Sequence, residues 1–373
     1  MKNIFIGLMS GTSIDSIDAA LVNLKDDSKP KLIEAYSHAI PTKIKNDIKS
    51  LSLPKNNEIN LLGKLDRLLG LHFAEAANIL MEKAGINFKE VEAIGSHGQT
   101  IRHLSKDINS DVIPFSLQIG DPNTIAENTL IKTVADFRKK DIALGGEGAP
   151  LTPAFHQVLS YNLEGKISFL NLGGIANITI IDKGQITNAY DIGPANILLD
   201  SWIQKNLNKN FDLNGEWARQ GKINNKLMMA LSDHPFFERK QPKSTGREDF
   251  NLSWLLEVIN SIDEGIKSVD VQSTLVFLTS RVITNEINLL RTKPSIIFCC
   301  GGGCKNIYLM ECLKRENPNI AFKTTEALGI HPDWVEATAF AWLAKQNLLK
   351  KKINISHVTG AKFDSILGAI FQV

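Results

Sequence analysis

An α/β fold of two similar halves is the class this sequence predicts, and three features predict it. Short apolar runs of strand length alternate with longer stripes at helical spacing. A glycine hairpin, GLMSGTSIDSID at 7–18, stands near the start. A second hairpin of the same layout, ISFLNLGGIANITIID at 167–182, follows about 160 residues later, close to one domain length.

In chain order, the apolar run 4–8 enters the first turn and 19–24 leaves it, giving strand, polar turn, strand. Further strand-like runs lie at 91–95, 129–136, 167–172, 178–181 and 296–300. Residues 59–84 carry Leu61, Leu62, Leu65, Leu68, Leu69, Phe73, Ala76 and Leu80, a stripe that predicts a long helix. Helical patterns recur at 272–290, 306–315 and 336–349. Two adjacent strands at the head of each half, then strand–helix alternation, indicate mixed sheets with covered faces. The segment 138–153 is rich in glycine, proline and charge and reads as a connection between halves or a loop over a cleft. The stretch 233–247 is long and lacks a core pattern, so it reads as a functional loop. Lys350, Lys351 and Lys352 read as a solvated helix end.

With 373 residues the chain can bury two ordinary cores. Hydrophobic residues make up 43% and the formal charge is +2, so bulk electrostatics argues for neither nucleic acid nor an anionic membrane as partner. No apolar stretch is long enough to span a bilayer, and the run after the N-terminus is too short for a secretory signal, so a cytoplasmic location is expected. Cys299, Cys300, Cys304 and Cys312 follow no zinc spacing and read as reduced structural thiols.

The first turn combines Gly11, the hydroxyls Ser10, Thr12 and Ser13, and the carboxylates Asp15 and Asp18. Glycines let backbone N–H groups approach an anion. Carboxylates beside a phosphate call for a bridging hard cation. The turn therefore reads as a metal–nucleotide site, or as a hairpin and nothing more. Paired with Gly173 and Gly174, it would clamp phosphates from two halves. No GxxxxGK[ST] or strand-linked GxGxxG is present, which removes the P-loop and Rossmann classes. Gly301, Gly302 and Gly303 follow an apolar strand and suit either a flat nucleoside or a plain turn.

Asp191 stands at a strand end before a Gly-Pro turn, where it is either a general base or the cap of a helix beginning near Asn196. His97 lies between small residues with Gln99 and Thr100 close by, which suits sugar hydroxyls, though a lone histidine is as readily structural. Asp121 adds a glycine–carboxylate turn, and Arg138 could pair with a substrate carboxylate. The run 243–248, KSTGRE, reads as an anion-contacting loop or as solvated charge.

Taken together, GLMSGTSIDSID (7–18), GSHGQT (95–100), LQIGD (117–121), DFRKKDIALGGEGAPLTPAFH (136–156), NLGGIANIT (171–179), YDIGPAN (190–196), KSTGRE (243–248), CGGGCKN (300–306), EATAFAWLA (336–344) and VTGA (358–361) resemble the anhydro-N-acetylmuramic acid kinase family, almost end to end. The resemblance implies a two-domain actin-like ATPase fold of the sugar kinase, Hsp70 and actin superfamily with an interdomain cleft. It implies a first domain over 1–138, to which a tail from about 356 to 373 could return, and a second over 139–355. It implies a phosphotransferase with an alcohol acceptor that uses ATP and Mg²⁺. That enzyme opens 1,6-anhydro-N-acetylmuramic acid with water and yields the 6-phosphate, in peptidoglycan recycling.

The same resemblance assigns residues. Asp191 falls on the base of the family's DTGPGN motif, and Glu336 shares that role or orients water. Gly11, Thr12, Ser13, Ile14, Asp15, Ser16, Ile17 and Asp18 fall on the ATP-binding segment, with Gly173 and Gly174 on its phosphates and Gly301–Gly303 on the adenosine. His97, Gln99, Asp121, Arg138 and Asn196 fall to the sugar. Metal ligands are not assigned, and a homodimer is left open. Departures from the family pattern are Ser16 and Ala195 where glycine is usual, Ile192 for threonine, and Glu147 for glutamine. The rival readings are a hexose kinase of the same superfamily and a non-catalytic nucleotide-binding scaffold.

Overall fold

Alternating apolar residues in the first hairpin build β1 (Ile4–Ser10) and β2 (Ser16–Asn23), which pair antiparallel with Ile6 opposite Leu21. β3 (Lys31–Ala39) extends this meander. β4 (Val91–Leu104) then lies parallel to β1 on its other side, β5 (Phe115–Ile119) pairs β4, and the short β6 (Thr133–Ala135) runs parallel to β4. The computed structural model describes residues 2–11, 14–25, 29–52, 58–104, 113–241, 243–262 and 265–373.

The second hairpin repeats this plan. β7 (Lys166–Leu172), β8 (Ile175–Asp182) and β9 (Gln185–Pro194) form an antiparallel meander. β10 (Ile296–Cys300) is parallel to β7 and β11 (Ala321–Thr324) is parallel to β10. The order β11-β10-β7-β8-β9 thus matches β6-β4-β1-β2-β3 strand for strand. That duplication within mixed sheets bears out the two similar halves predicted from the sequence and is the actin-like fold that the family resemblance implies. The tail closes the first sheet: β12 (Ala369–Phe371) pairs antiparallel with β6.

By its internal contacts the chain divides into two compact units, Met1–Tyr161 with Trp334–Val373, and Asn162–Asp333. The first unit thus runs past residue 138 and takes the chain back from 334 rather than from about 356. Helix Phe137–Ala143 is held there by Asp141, whose carboxylate accepts from the Thr359 hydroxyl at 2.7 Å and from the Gly148 N–H at 2.8 Å.

Each unit has its own core. In the first, Ile6, Leu21 and Ile94 pack with Leu65, Leu69, Phe73 and Leu80 from the long helix Ile59–Ala84, whose span matches the sequence stripe. In the second, Leu170, Ile178 and Ile297 pack with Leu275, Leu278 and Ile283 from helix Ser268–Leu289. The predicted strand 129–136 is corrected. Helix Pro122–Thr129 occupies its approach, because Asp121 caps that helix and Pro122 starts it, and only the three residues of β6 remain extended.

Two mid-strand glycines have a packing role that the sequence reading overlooked. Gly7 and Gly95 are partners across β1 and β4. A side chain on either would strike the backbone of helix Val335–Leu348, at the Ala337 and Phe340 carbonyls. A glycine inside a strand often marks such a close approach. The small residues Ala337, Ala341 and Ala344 on the helix complete the fit and place Glu336 in its first turn. Among the described residues no helix is long and apolar enough to cross a membrane.

Candidate active site

In the second unit, Asp191 lies three residues before the end of β9, partly buried. It faces Asn177 across the ladder, and Asn177 faces Asn171, so three polar side chains form a row over β9, β8 and β7. Gly193 pairs with Ala176 while Asp191 pairs with Asn177, which leaves Ile192 as the extra residue of a bulge. Bulges re-aim neighbouring side chains and recur beside active sites.

The loop read as KSTGRE holds this carboxylate. Asp191 Oδ2 accepts from the Ser244 hydroxyl at 2.9 Å and from the Thr245 N–H at 3.1 Å. The Asp191 N–H donates to the Lys243 carbonyl at 2.9 Å. Among the described residues Oδ1 accepts no hydrogen bond, so it remains available to a proton. Burial pushes the Asp191 carboxyl up to about 6, with the charge of Glu248 adding to the rise and the Thr245 and Ser244 bonds opposing it. Asp191 does not cap the helix Asn196–Leu207, which has no side-chain cap.

The loop is anchored in turn by a buried ion pair. Lys243 Nζ lies 2.6 Å from Glu286, with the two side chains only 3% and 7% exposed. Gln241 donates to the other Glu286 oxygen at 2.6 Å, and Lys243 stands over the Phe236 ring. Lys243 thus serves the loop's framework, while Ser244 and Thr245 hold the acid; neither task is visible in a run of charged and hydroxyl residues.

The glycines of this unit converge on one strand end. Gly173 and Gly174 form the β7–β8 turn, and their carbonyls accept from the backbone N–H groups of Ala195, Asn196 and Ile197. The Asn196 side chain donates to the Leu172 carbonyl at 2.9 Å. A side chain at Gly301 or Gly303 would strike the Leu172 carbonyl, and at Gly301 the Asn171 amide as well, whereas a side chain at Gly302 would meet open space. Gly301 also has φ +81, a left-handed conformation natural to glycine. Two of the three glycines therefore serve packing and one lines free space. Cys299, Cys300 and Cys312 are buried, and none of the four cysteines is in a disulfide.

In the first unit, the turn between β1 and β2 is braced from below. The Ser10 hydroxyl approaches the Gln99 amide oxygen at 2.7 Å and the Ser16 carbonyl at 3.0 Å. Gln99 donates to the Thr100 carbonyl at 3.0 Å and is buried, so its amide serves the turn. Ile14 and Ile17 turn their side chains into the core. Asp15 pairs with Lys45. Asp18 accepts from the Ser37 hydroxyl at 2.8 Å and the Ser16 hydroxyl at 3.1 Å. Among the described residues nothing lies where a side chain on Gly11 would begin; Thr12 and Ser13 lie outside them.

Arg138, His97 and Glu336 meet in the same unit. The Arg138 guanidinium donates to His97 Nε2 from Nε at 3.1 Å and from Nη2 at 3.0 Å, and to the Gly148 carbonyl at 2.7 Å. His97 Nδ1 lies 2.9 Å from the Gly98 carbonyl, which leaves Nε2 as the acceptor. Burial and the adjacent Arg138 charge push the His97 ring down to about 3, so it is neutral. Burial raises the Glu336 carboxyl; Arg138 opposes that rise and Asp18 adds to it. Asp121 has a different setting: its carboxylate accepts from the Asn123 and Thr124 N–H groups at 3.1 and 3.0 Å as the cap of helix Pro122–Thr129.

Comparison with known proteins adds identity to this chemistry. The model of the family "Anhydro-N-acetylmuramic acid kinase" matches residues 3–373. An anhydro-N-acetylmuramic acid kinase from Coxiella burnetii is 47% identical over 372 residues, covering 99% of this chain and 98% of its own. One from Shewanella baltica is 48% identical over 378 residues, with both chains covered in full. Among solved structures, component A of the (R)-2-hydroxyglutaryl-CoA dehydratase from Acidaminococcus fermentans aligns over 91% of this chain and 96% of its own, at 12% identity and a TM-score of 0.48.

Proposed function

This chain belongs to the anhydro-N-acetylmuramic acid kinase family, and on that footing we propose that Asp191 is the base through which it opens 1,6-anhydro-N-acetylmuramic acid with water and phosphorylates it from ATP, in peptidoglycan recycling. The observation that carries this reading is the state of the Asp191 carboxylate. One oxygen is fixed by two donors, the other accepts nothing, and the carboxyl titrates at about 6. A base works best when its pKa lies near the working pH.

Water then loses a proton to Asp191 Oδ1 as its oxygen bonds to the anomeric carbon. The bond from that carbon to the position-6 oxygen breaks. The released oxygen takes the γ-phosphoryl group, and ADP leaves. The chain's part in phosphoryl transfer is positioning and charge neutralisation. The N–H groups around Gly11 and around Gly173 and Gly174 suit phosphate oxygens. The Mg²⁺ that accompanies ATP would find hard oxygen donors of the kind it prefers in Asp18 and Glu336. Gly302, with open space before it, suits the nucleoside. Arg138, steadied by neutral His97 and the Gly148 carbonyl, offers a fixed cation to the sugar's carboxylate. A cytoplasmic location fits the use of ATP and cysteines that form no disulfide. The homodimer left open by the sequence is a question for sedimentation equilibrium.

The deciding experiment supplies the protein with ATP, the anhydro sugar and ¹⁸O-labelled water. The label is expected at the anomeric oxygen of the 6-phosphate product, sampled before solvent exchange. Phosphorylated product without label would overturn water attack.

A further inference from the structure

On the first unit, remote in sequence from every motif used above, three potential ligand atoms converge. His38 Nε2 on β3 lies 3.2 Å from His72 Nδ1, and each nitrogen lies 3.6 Å from the same Glu75 oxygen, Oε2. His72 and Glu75 stand three residues apart on helix Ile59–Ala84, the spacing that puts side chains on one helical face. The three atoms make a nearly equilateral triangle, and the point equidistant from all of them lies about 2.0 Å from each. Zinc–nitrogen and zinc–oxygen bonds are about 2.0–2.2 Å long, so an ion slightly above that plane would satisfy all three at once.

We propose that His38, His72 and Glu75 bind one divalent ion of the zinc class, which ties the edge strand β3 to helix Ile59–Ala84. The alternative, a plain imidazole–imidazole hydrogen bond, accounts for the 3.2 Å separation only. It does not involve Glu75, whose Oε2 at 3.6 Å is within ion-pair distance of both rings but too far for a hydrogen bond to either. A shared ion accounts for all three distances. Two imidazoles and one carboxylate suit zinc and its neighbours, whereas Mg²⁺ prefers an all-oxygen shell.

The site is separate from Asp18. Ile17 pairs with His38 and Asp18 with Ser37, and successive strand residues face opposite sides. His38 therefore lies on the helix-covered face and Asp18 on the other. The side chains are graded in exposure from His38 at 11% through His72 at 21% to Glu75 at 56%, which gives an ion a path from solvent.

The test uses the full chain, freed of metal with a chelator and dialysed. Zinc titration by calorimetry is expected to give one equivalent bound, with affinity falling at least about tenfold in both His72→Ala and Glu75→Gln. Cobalt(II) in place of zinc should give visible bands without sulfur charge transfer, which excludes the cysteines as ligands. Zinc should raise the melting temperature of the parent protein and not that of the variants. The proposal is overturned if the parent binds no zinc, if both variants bind it as the parent does, or if the cobalt spectrum shows sulfur ligation. Should His72→Ala fold poorly, Glu75→Gln, altered only at an exposed carboxylate, decides alone.

Discussion

The Ser244 hydroxyl donates to the Asp191 carboxylate across 2.9 Å, although the two residues stand 53 positions apart in the chain. This contact joins two motifs that read as unrelated in sequence, a strand-end acid and a hydroxyl-rich loop. It holds Oδ2, while among the described residues Oδ1 accepts no hydrogen bond.

Replacing Asp191 with Asn keeps the shape and both accepting bonds but removes the proton acceptor. Turnover is expected to fall about 10²–10⁴-fold. ATP binding, followed by calorimetry, should stay within a few-fold of the parent. Parent-like turnover would remove Asp191 from the base role.

The same substitution should alter stability with a sign opposite to the usual carboxylate case. The folded Asp191 carboxyl titrates at about 6, above its ordinary value of 3.8. The folded state therefore binds more protons between those values, and stability falls as pH rises through that window. Above pH 6 the full cost of the buried charge is present. Asp191→Asn should melt higher than the parent at pH 8, with the gap narrowing toward pH 5.

The pH–rate profile offers a pair of opposed shifts. The acid limb of kcat/KM should fall with a midpoint near the Asp191 value. Glu248 raises that value and Ser244 lowers it. Glu248→Gln should thus move the limb to lower pH and Ser244→Ala to higher pH. Shifts in the same direction would refute this account of the site.

Lys243 and Glu286 form a buried pair whose disruption leaves one charge unpaired. Lys243→Ala is expected to cost about 3–5 kcal/mol in denaturant unfolding. Lys243→Met with Glu286→Leu should recover much of that loss, because the uncompensated charge is gone. Since the loop beneath Asp191 rests on this pair, activity should fall with the single change even where folding is complete.

The glycine triplet separates packing from binding. Gly303→Ala would drive a methyl group into Leu172 and should lower the melting temperature. Gly302→Ala meets nothing among the described residues. It should leave the melting temperature unchanged while raising the KM for ATP, and an unaltered KM would place the nucleoside elsewhere.

Much of the fold was legible because its signals are local. The stripe from Leu61 to Leu80 specifies helix Ile59–Ala84, and the two glycine hairpins announce the repeated strand order. The strand expected at 129–136 failed for an equally local reason, since Asp121 and Pro122 begin a helix just before it. The family resemblance, carried by ten short motifs, agreed with the full-length match.

Asp121 and Gln99 show what one-dimensional reading leaves out. Both stand in polar motifs that suggest a ligand, yet Asp121 caps a helix and Gln99 braces the Ser10 turn. Residue type and spacing report what a side chain is able to bond; they do not report which partner reaches it first.

The sequence by itself determined the class of fold, the duplicated hairpins, the family and the identity of the candidate acid, because these rest on periodicity and on motifs contiguous in the chain. Only the tertiary structure decided that KSTGRE supports Asp191, that Gly7 and Gly95 admit the helix carrying Glu336, and that His38 meets His72 and Glu75. Each of those depends on groups distant in the chain being brought within bonding or packing distance, and burial then sets the proton affinity of what they surround.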